Sequence, residues 1–439
     1  MRRVIQRALQ QIPHPSAPRP KKIYLALSGG VDSSVAAFLL KERGYSIQPI
    51  IYKSWDLHDE LASTPSTHKI RKADIDQAEC SFERDVHDAE RVVRCLRIES
   101  ELRVWDFVGE YWNEVFVPEF LERLVGGGTP SPDLVCNRVI KFGSFLRRVK
   151  ALSRRESSDG DGGVPLFATG HFARLRYSCD DRKNSEGLPL LLRAVDHKKD
   201  QTYFLAALHA SQLKHAVFPV GSLYKEEVRA IAKHVGIPVA TKRSSRGICF
   251  IGKRRLPEFV SKYVEISQQG SFVDFDTGEK LGAHSGVPYQ YTAGQGAKIG
   301  GCEKKFYVVD KVENGKGGMD IVVAKGWDHP ALFCERITGV KPFWIKGRAL
   351  KDVLEGREVR MFCVLSNRDE LSGCTVQRKR GMEDVLIIRF QQQMRRVGRG
   401  QAVVFYDAND KDVCLGGAWI EDSDNLAMRE TAWKADCVV

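Results

Sequence analysis

The sequence predicts an α/β chain: a doubly wound parallel-sheet domain, then a small mixed domain, then a C-terminal β-barrel. Three observations predict it. From Ile23 to about Thr241, short apolar runs alternate with helical stretches, the pattern of a parallel sheet covered by helices on both faces. After about Ser244 the runs shorten and Gly, Val and Tyr become frequent, with hairpin signals at Asp-Thr-Gly (276–278) and Glu-Asn-Gly-Lys (313–316). From about Gly326 six β-rich runs follow one another: RITGV, REVRMFCVL, CTVQRK, DVLIIRF, QAVVFYD and VCLGGAWI. The boundaries drawn are 1–20 for a leader and linker, 21–243, 244–325 and 326–424 for the three domains, and 425–439 for a tail.

In the first domain the strands are read at Ile23–Leu27, Ile47–Tyr52, Leu102–Phe107 and Leu166–Thr169, with helices over Asp85–Leu96 and Glu110–Leu124 among others. Ligands in such sheets sit beyond the C-terminal strand ends, where LALSGG, IYKSW and ATGHF emerge. His58–Lys72 is polar and aperiodic and reads as an insertion; Ser153–Gly163 reads as a low-complexity loop.

The 439 residues suffice for two or three domains with real cores. No run of 18 apolar residues occurs, so no membrane span is expected. A formal charge of +12 favours a polyanionic partner, nucleic acid first. The 11 cysteines are scattered, with no signal peptide and no dense framework, so reduced thiols are expected, and no C-x-x-C pair occurs, which argues against a zinc ribbon. Before Asp32 the chain carries Arg2, Arg3, Arg7 and Arg19 but no acidic residue, and Val4, Ile5, Ala8 and Leu9 can form one apolar face. That is the character of a mitochondrial presequence, followed by a Pro-rich linker from Pro13 to Pro20.

The motif that carries most chemistry is S-G-G-V-D-S-S, residues 28–34, directly after a strand. A Gly-Gly turn there aims backbone N–H groups and a helix N-terminus at one point, which favours a phosphate. Neither G-x-x-x-x-G-K-[ST] nor G-x-G-x-x-G is present, so the two commonest nucleotide loops are excluded. Two cysteines stand in distinctive settings. In TPSPDLVCNRVIKF (129–142), Asp133 and Cys136 are three residues apart, so a helix puts them on one side, where a carboxylate can exchange protons beside a thiol. In SSRGICFIGKRR (244–255), Cys249 lies between basic flanks that lower a thiol pKa or meet RNA. ATGHFAR (168–174) places His171 at the strand edge, and Lys198, Lys199, Asp200 and Gln201 form a polar cluster able to hydrogen-bond nucleic acid. Each of these, taken alone, also fits a capped turn, a buried thiol or a solvated loop.

Together LALSGGVDSSVAAFLL, TPSPDLVCNRVIKF, ATGHFAR, DHKKDQTYFL, GICFIG, YTAGQ…IGG and VCLGGAWI resemble, in order and spacing, the tRNA-specific 2-thiouridylases, within the N-type ATP pyrophosphatases. The likeness runs from about Ile23 to Ile420, and the basic leader suggests the mitochondrial form. The resemblance implies an ATP pyrophosphatase domain over 21–243, with ATP on Ala26, Leu27, Ser28, Gly29, Gly30, Val31, Asp32 and Ser33, and with Tyr52 and Gly170 lining the adenine side. It implies Mg²⁺ with the triphosphate, adenylation of the C2 oxygen of a wobble uridine, and sulfur delivery by a Cys249 persulfide. Cys136 would attack or resolve the persulfide, leaving a disulfide with Cys249, and Asp133 would be the general acid/base. Partners implied are the tRNA anticodon region, met by Ser131, Pro132, Lys199, Asp200, Gln201, Ser366, Asn367 and Arg368, and a sulfur donor such as a cysteine desulfurase or a relay protein.

This chain departs from the family pattern at several points. Arg243-Ser244-Ser245-Arg246 lacks the usual acidic residue, Ser131 replaces an Asn, Tyr52 a Met, and Ser366-Asn367 an Arg-Tyr pair. Two other readings compete: a ligase or amidotransferase-like ATP pyrophosphatase acting on a small molecule, and a non-catalytic RNA-binding protein. The first makes the cysteines dispensable; the second releases no pyrophosphate.

Overall fold

The computed structural model describes residues 1–13, 22–56, 72–156, 164–177, 187–243, 256–264, 269–284, 287–301, 304–315, 317–345, 348–395 and 398–424. The first seven strands are β1 (Lys22–Ala26), β2 (Ser46–Lys53), β3 (Arg103–Asp106), β4 (Leu166–Ala168), β5 (Ala173–Tyr177), β6 (Pro189–Arg193) and β7 (Ala216–Val217). Five of them form a sheet in the order β3-β2-β1-β4-β7, with every neighbouring pair parallel. The strand order therefore reverses between β1 and β4, and the crevice beyond that point is where such sheets take ligands.

Side chains alternate across β1, and this builds a core on each face. Ile23 and Leu25 pack with α1 (Arg2–Gln11), α2 (Val31–Glu42), α3 (Lys72–Cys95) and the helix Lys225–Val235. Tyr24 faces the other side, toward the helical spans 108–125 and 132–156. Both spans contain π-helical turns, Trp112–Leu121 and Asn137–Ser144. In the first, Pro118 has no N–H to give, and the wider turn absorbs the gap.

Two helices run beyond their apolar pattern. The helix expected from Asp85 begins at Lys72, and the segment read as a loop from Ser153 is helical to Glu156. The rest of both supposed loops, 57–71 and 157–163, lies outside the described residues, as do most of the linker and the tail. The leader's apolar face does not stand free. Ala8 and Ile12 are buried against α2, Arg7 pairs with Glu227 at 2.6 Å, and Arg43 Nε donates to the Ile12 carbonyl at 3.0 Å.

The central region holds the helix Leu256–Val260 and strands β8 (Ser271–Asp274), β9 (Lys280–Ala283), β10 (Phe306–Glu313) and β11 (Met319–Lys325), in the order β10-β11-β8-β9. Both hairpin signals are turns: Asp274 Oδ1 accepts the Asp276 and Thr277 N–H groups, and Asn314 Oδ1 accepts that of Gly318.

The six C-terminal runs are β12 (Phe333–Trp344), β13 (Val359–Val364), β14 (Ser372–Arg378), β15 (Val385–Arg395), β16 (Ala402–Asp407) and β17 (Val413–Asp424). β12 pairs with both β15 and β17, which closes them into a barrel with no free edge at that seam. The β5–β6 hairpin of the first domain adds to β17 through Leu192↔Val413 and Leu191↔Cys414. Arg174–Asp412 at 2.6 Å and Arg176–Asp410 at 2.7 Å reinforce this seam. Among the described residues no helix is long and apolar enough to cross a membrane.

Ala8→Glu should lower the folding stability by roughly 3–5 kcal/mol, because an unpaired charge replaces a buried methyl. Arg7→Ala, which removes only an exposed ion pair, should cost less than about 1 kcal/mol. Urea unfolding of both variants measures the difference.

Candidate active site

The S-G-G-V-D-S-S loop sits at the sheet's switch point. Leu27 N–H continues the β1–β2 pairing by donating to Ile50 O at 2.8 Å, and the chain then turns through Ser28, Gly29 and Gly30 into α2. Gly29 has φ +66°, and a Cβ there would overlap the carbonyl oxygen of Asp85 on α3. Across the crevice, a Cβ on Gly170 would lie 2.7 Å from Ser33 N, so the segment after β4 touches the start of α2.

The carbonyls of Gly29 and Gly30 are occupied, and the Ser28 N–H is spent on Ser33 Oγ at 3.2 Å, but the five amides that follow are not. Gly30 O accepts from Ser33 Oγ at 3.1 Å, Ser34 Oγ at 2.7 Å and Ser34 N at 3.2 Å. Gly29 O accepts from Lys242 Nζ at 3.0 Å. Among the described residues no hydrogen bond engages the N–H groups of Gly29, Gly30, Val31, Asp32 or Ser33. Five unspent donors at a helix N-terminus form an anion site. The serine hydroxyls hold the loop: Ser33 Oγ also meets Ser28 Oγ at 3.1 Å. Asp32 forms an ion pair with Lys225.

Tyr52 leaves β2 and packs edge-on against Phe107 and Phe145. A cleft of about 450 Å³ opens beyond β2 and β3, walled by Trp55, Trp112, Asp56 and Asp106.

A second cluster adjoins the loop through Gly170. The next residue, His171, is bonded at Nδ1 to Thr169 Oγ1 at 2.7 Å. Desolvation and then the charge of Lys141 push its pKa well below the usual histidine range, so the ring is neutral at neutral pH. Lys141 also acts on Asp133. Desolvation raises the Asp133 carboxyl above its usual range, against the pull of that lysine. Asp133 and Cys136 belong to one short helix, Pro132–Cys136, capped by Ser131, and so share a side. The motif thus supplies a thiol, a carboxylate of raised pKa and a lysine at the ligand edge of the sheet. Cys249, with all of 244–255, lies outside the described residues.

The residues expected to face RNA divide into two kinds. Lys199, Asn367 and Arg368 are exposed. Asp200 is 7% exposed and accepts from Ala194 N at 2.8 Å and Thr202 Oγ1 at 2.6 Å, while Gln201 Oε1 accepts from Phe172 N at 2.9 Å. These two side chains are engaged inside the protein. Pro132 is buried at the helix start, and Ser131 bonds the Tyr203 hydroxyl, which burial pushes up to about 12. That hydroxyl also donates to Ala402 O at 3.2 Å and reaches Leu365 O at 3.5 Å, beside Ser366. Tyr203 therefore joins the 129–136 segment to the barrel loop that carries Ser366, Asn367 and Arg368. The sequence did not single out Tyr203 or Lys225, and offered Lys242 only as a basic flank of Cys249, because their partners are distant in the chain.

Three family models match in succession: the tRNA methyl transferase HUP domain over residues 21–253, the tRNA methyl transferase PRC-barrel domain over 257–316, and the aminomethyltransferase beta-barrel domain over 337–420. The tRNA-specific 2-thiouridylase MnmA of Blochmanniella floridana is 37% identical over 406 residues, covering 91% of this chain and 96% of its own. That of Halalkalibacterium halodurans is also 37% identical, over 92% and 95%. The chain belongs to the tRNA-specific 2-thiouridylase family. Among solved structures, NMN synthetase from Francisella tularensis is similar over 60% of this chain and 87% of its own, at 14% identity and TM-score 0.32, too distant to add to the family match. The thiouridylase motifs fall where the fold converges: the S-G-G-V-D-S-S loop and Gly170 meet at the switch point, and the P-D-L-V-C-N helix lies beside His171.

Gly170→Ala should raise the KM for ATP at least tenfold, because the new methyl displaces the Ser33 amide; initial rates over a range of ATP concentrations test this. Lys141→Met removes a charge that favours the Asp133 carboxylate, so Asp133 should titrate about one unit higher. If the carboxylate form is the working one, the acid limb of the thiolation pH profile moves up by the same amount; single-turnover rates across pH measure it.

Proposed function

We propose that this chain is an ATP-dependent tRNA sulfurtransferase that converts a wobble uridine to 2-thiouridine. The observation that carries the reading is the set of five unspent loop amides in a chain of this family, whose Asp133–Cys136 helix belongs to the same domain. The uridine O2 attacks the α-phosphorus of ATP; the bond to the bridging oxygen breaks and pyrophosphate leaves. The N3 proton is lost in this step, and Asp133 is the base proposed to hold it. A persulfide on Cys249, loaded by a cysteine desulfurase or a relay protein, attacks C2 with its terminal sulfur, and AMP leaves with the former carbonyl oxygen. The Cys136 thiolate then attacks Cys249 Sγ. The S–S electron pair passes to the sulfur on C2, the proton returns to N3, and a Cys136–Cys249 disulfide remains for an external thiol to reduce.

The loop amides would hold the phosphates and orient the α-phosphorus. A Mg²⁺ ion would be held largely by the triphosphate and water, with Asp32, which here pairs with Lys225, as the carboxylate the loop would offer it. Its chemistry would be to offset phosphate charge. The exposed Lys199, Asn367 and Arg368 are proposed to meet the tRNA.

Pyrophosphate release from ATP is the decisive measurement. Wild-type release should require a tRNA with a wobble uridine, and Cys136→Ala should keep release while losing thiolation. Release that ignores tRNA would move the reading to a small-molecule substrate; no release would leave a binding protein. Cys249→Ser should lose thiolation and Cys80→Ser should keep it. The acid-free, Arg-bearing leader supports a mitochondrial location. A fluorescent fusion of residues 1–30 that stayed cytosolic would remove that part of the proposal.

A further inference from the structure

Lys242 is remote from the loop in sequence, yet its ammonium group reaches Gly29 O at 3.0 Å, Asp85 Oδ1 at 2.7 Å and Asp88 Oδ2 at 2.7 Å. All three of its protons have acceptors. Burial works against its charge, but the two carboxylates outweigh this and hold its pKa above the usual lysine range. The segment that bears it is tied back to the helix Lys225–Val235, where Arg229 donates to Ala240 O and Lys242 O, both at 3.4 Å.

The consequence follows from peptide geometry. In a planar trans peptide the C=O and the next N–H point in opposite directions. With Gly29 O drawn toward Lys242, the Gly30 N–H must point the other way, into the crevice. Ser33 and Ser34 hydroxyls do the same for the next peptide, drawing Gly30 O back toward α2 and turning out the Val31 N–H. Gly29 is the residue that most needs such a restraint, since glycine is free to flip the peptide that follows it. The lysine's charge, meanwhile, is already neutralised by two aspartates, so it serves the site as a donor to a carbonyl and adds no net attraction for phosphate.

We propose that Lys242 is a positioning residue of the sulfurtransferase reaction: it fixes the Gly29–Gly30 peptide in its anion-binding orientation and so presets the affinity for ATP. The same residue lies seven positions before Cys249, so the segment that restrains the nucleotide loop leads directly into the proposed sulfur carrier.

This inference rests on the proposed ATP cleavage, and tRNA-dependent pyrophosphate release with the variants separates the two. Lys242→Met should raise the KM for ATP at least tenfold and leave kcat within about threefold, with the melting temperature within a few degrees of wild type. Lys242→Arg, which still has donors for Gly29 O, should recover part of the loss. The neutral triple variant Lys242→Met/Asp85→Asn/Asp88→Asn should keep the raised KM, since the carbonyl is still unrestrained; it also carries the test if the single variant does not fold. A wild-type KM in Lys242→Met, or a KM restored in the triple variant, would overturn the proposal, the second by showing that exposed aspartate charge was the cause. Absence of release in the wild-type protein would instead overturn the reading of the reaction.

Discussion

The site depends on two places where the chain leaves no room for a side chain. α3 crosses the phosphate loop so closely that Gly29 can carry no Cβ, and the segment after β4 meets the start of α2 at Gly170. These approaches bring β1, β4, α2 and α3 to a common point at the sheet's reversal. The loop is then held from outside, by Lys242 on a carbonyl and Lys225 on Asp32, so that the amides of Gly29 to Ser33 are not consumed by the described architecture. An anion site made this way relies on dipoles and on geometry rather than on a free cation.

A second convergence lies in residues 200–204. Asp200 caps its own turn, Gln201 holds the Phe172 backbone, Thr202 meets the Tyr406 hydroxyl at 3.0 Å, and Tyr203 reaches two barrel carbonyls. Phe204 O accepts from Asn137 Nδ2 at 3.1 Å, next to Cys136. Five successive residues thus link the β4 edge, the cysteine helix and the barrel. A shift of the barrel loops against the first domain would be felt at the cysteine helix through Tyr203, Phe204 and Asn137. The other Asn137 amide atom, Oδ1, is buried and has no hydrogen-bond partner among the described residues, which leaves a polar group next to Cys136 in the chain unsatisfied by them.

Much of this was legible in the sequence because it rests on local pattern. The strand–Gly-Gly–helix motif, the two hairpin turns and the six barrel runs are each set by residues within a few positions of one another. The start of α3 was not legible, because a polar, aperiodic stretch gives no amphipathic signal until Phe82, Val86 and Ala89 reach the core. The β5–β6 hairpin was missed for a different reason: its partner β17 lies more than two hundred residues away. The same holds for Lys225 and Lys242, ordinary lysines until the fold sets Asp32, Asp85 and Gly29 opposite them. Asp200 and Gln201 read as a polar, solvated cluster, yet their burial is decided by tertiary neighbours. The leader's apolar face was visible, but a free amphipathic helix and a docked one have the same pattern.

The hairpin seam ties the first domain to the barrel, because β5 and β6 belong to the barrel's eight-stranded sheet, though the chain between them builds a separate central sheet. Severing the polypeptide after residue 243 would leave the β6 edge and the matching edge of β17 as unpaired, sticky strands. The nucleotide domain is consequently a poor module for recombination. Its independence as a sequence unit hides a dependence on β17, a strand more than two hundred residues further along the chain.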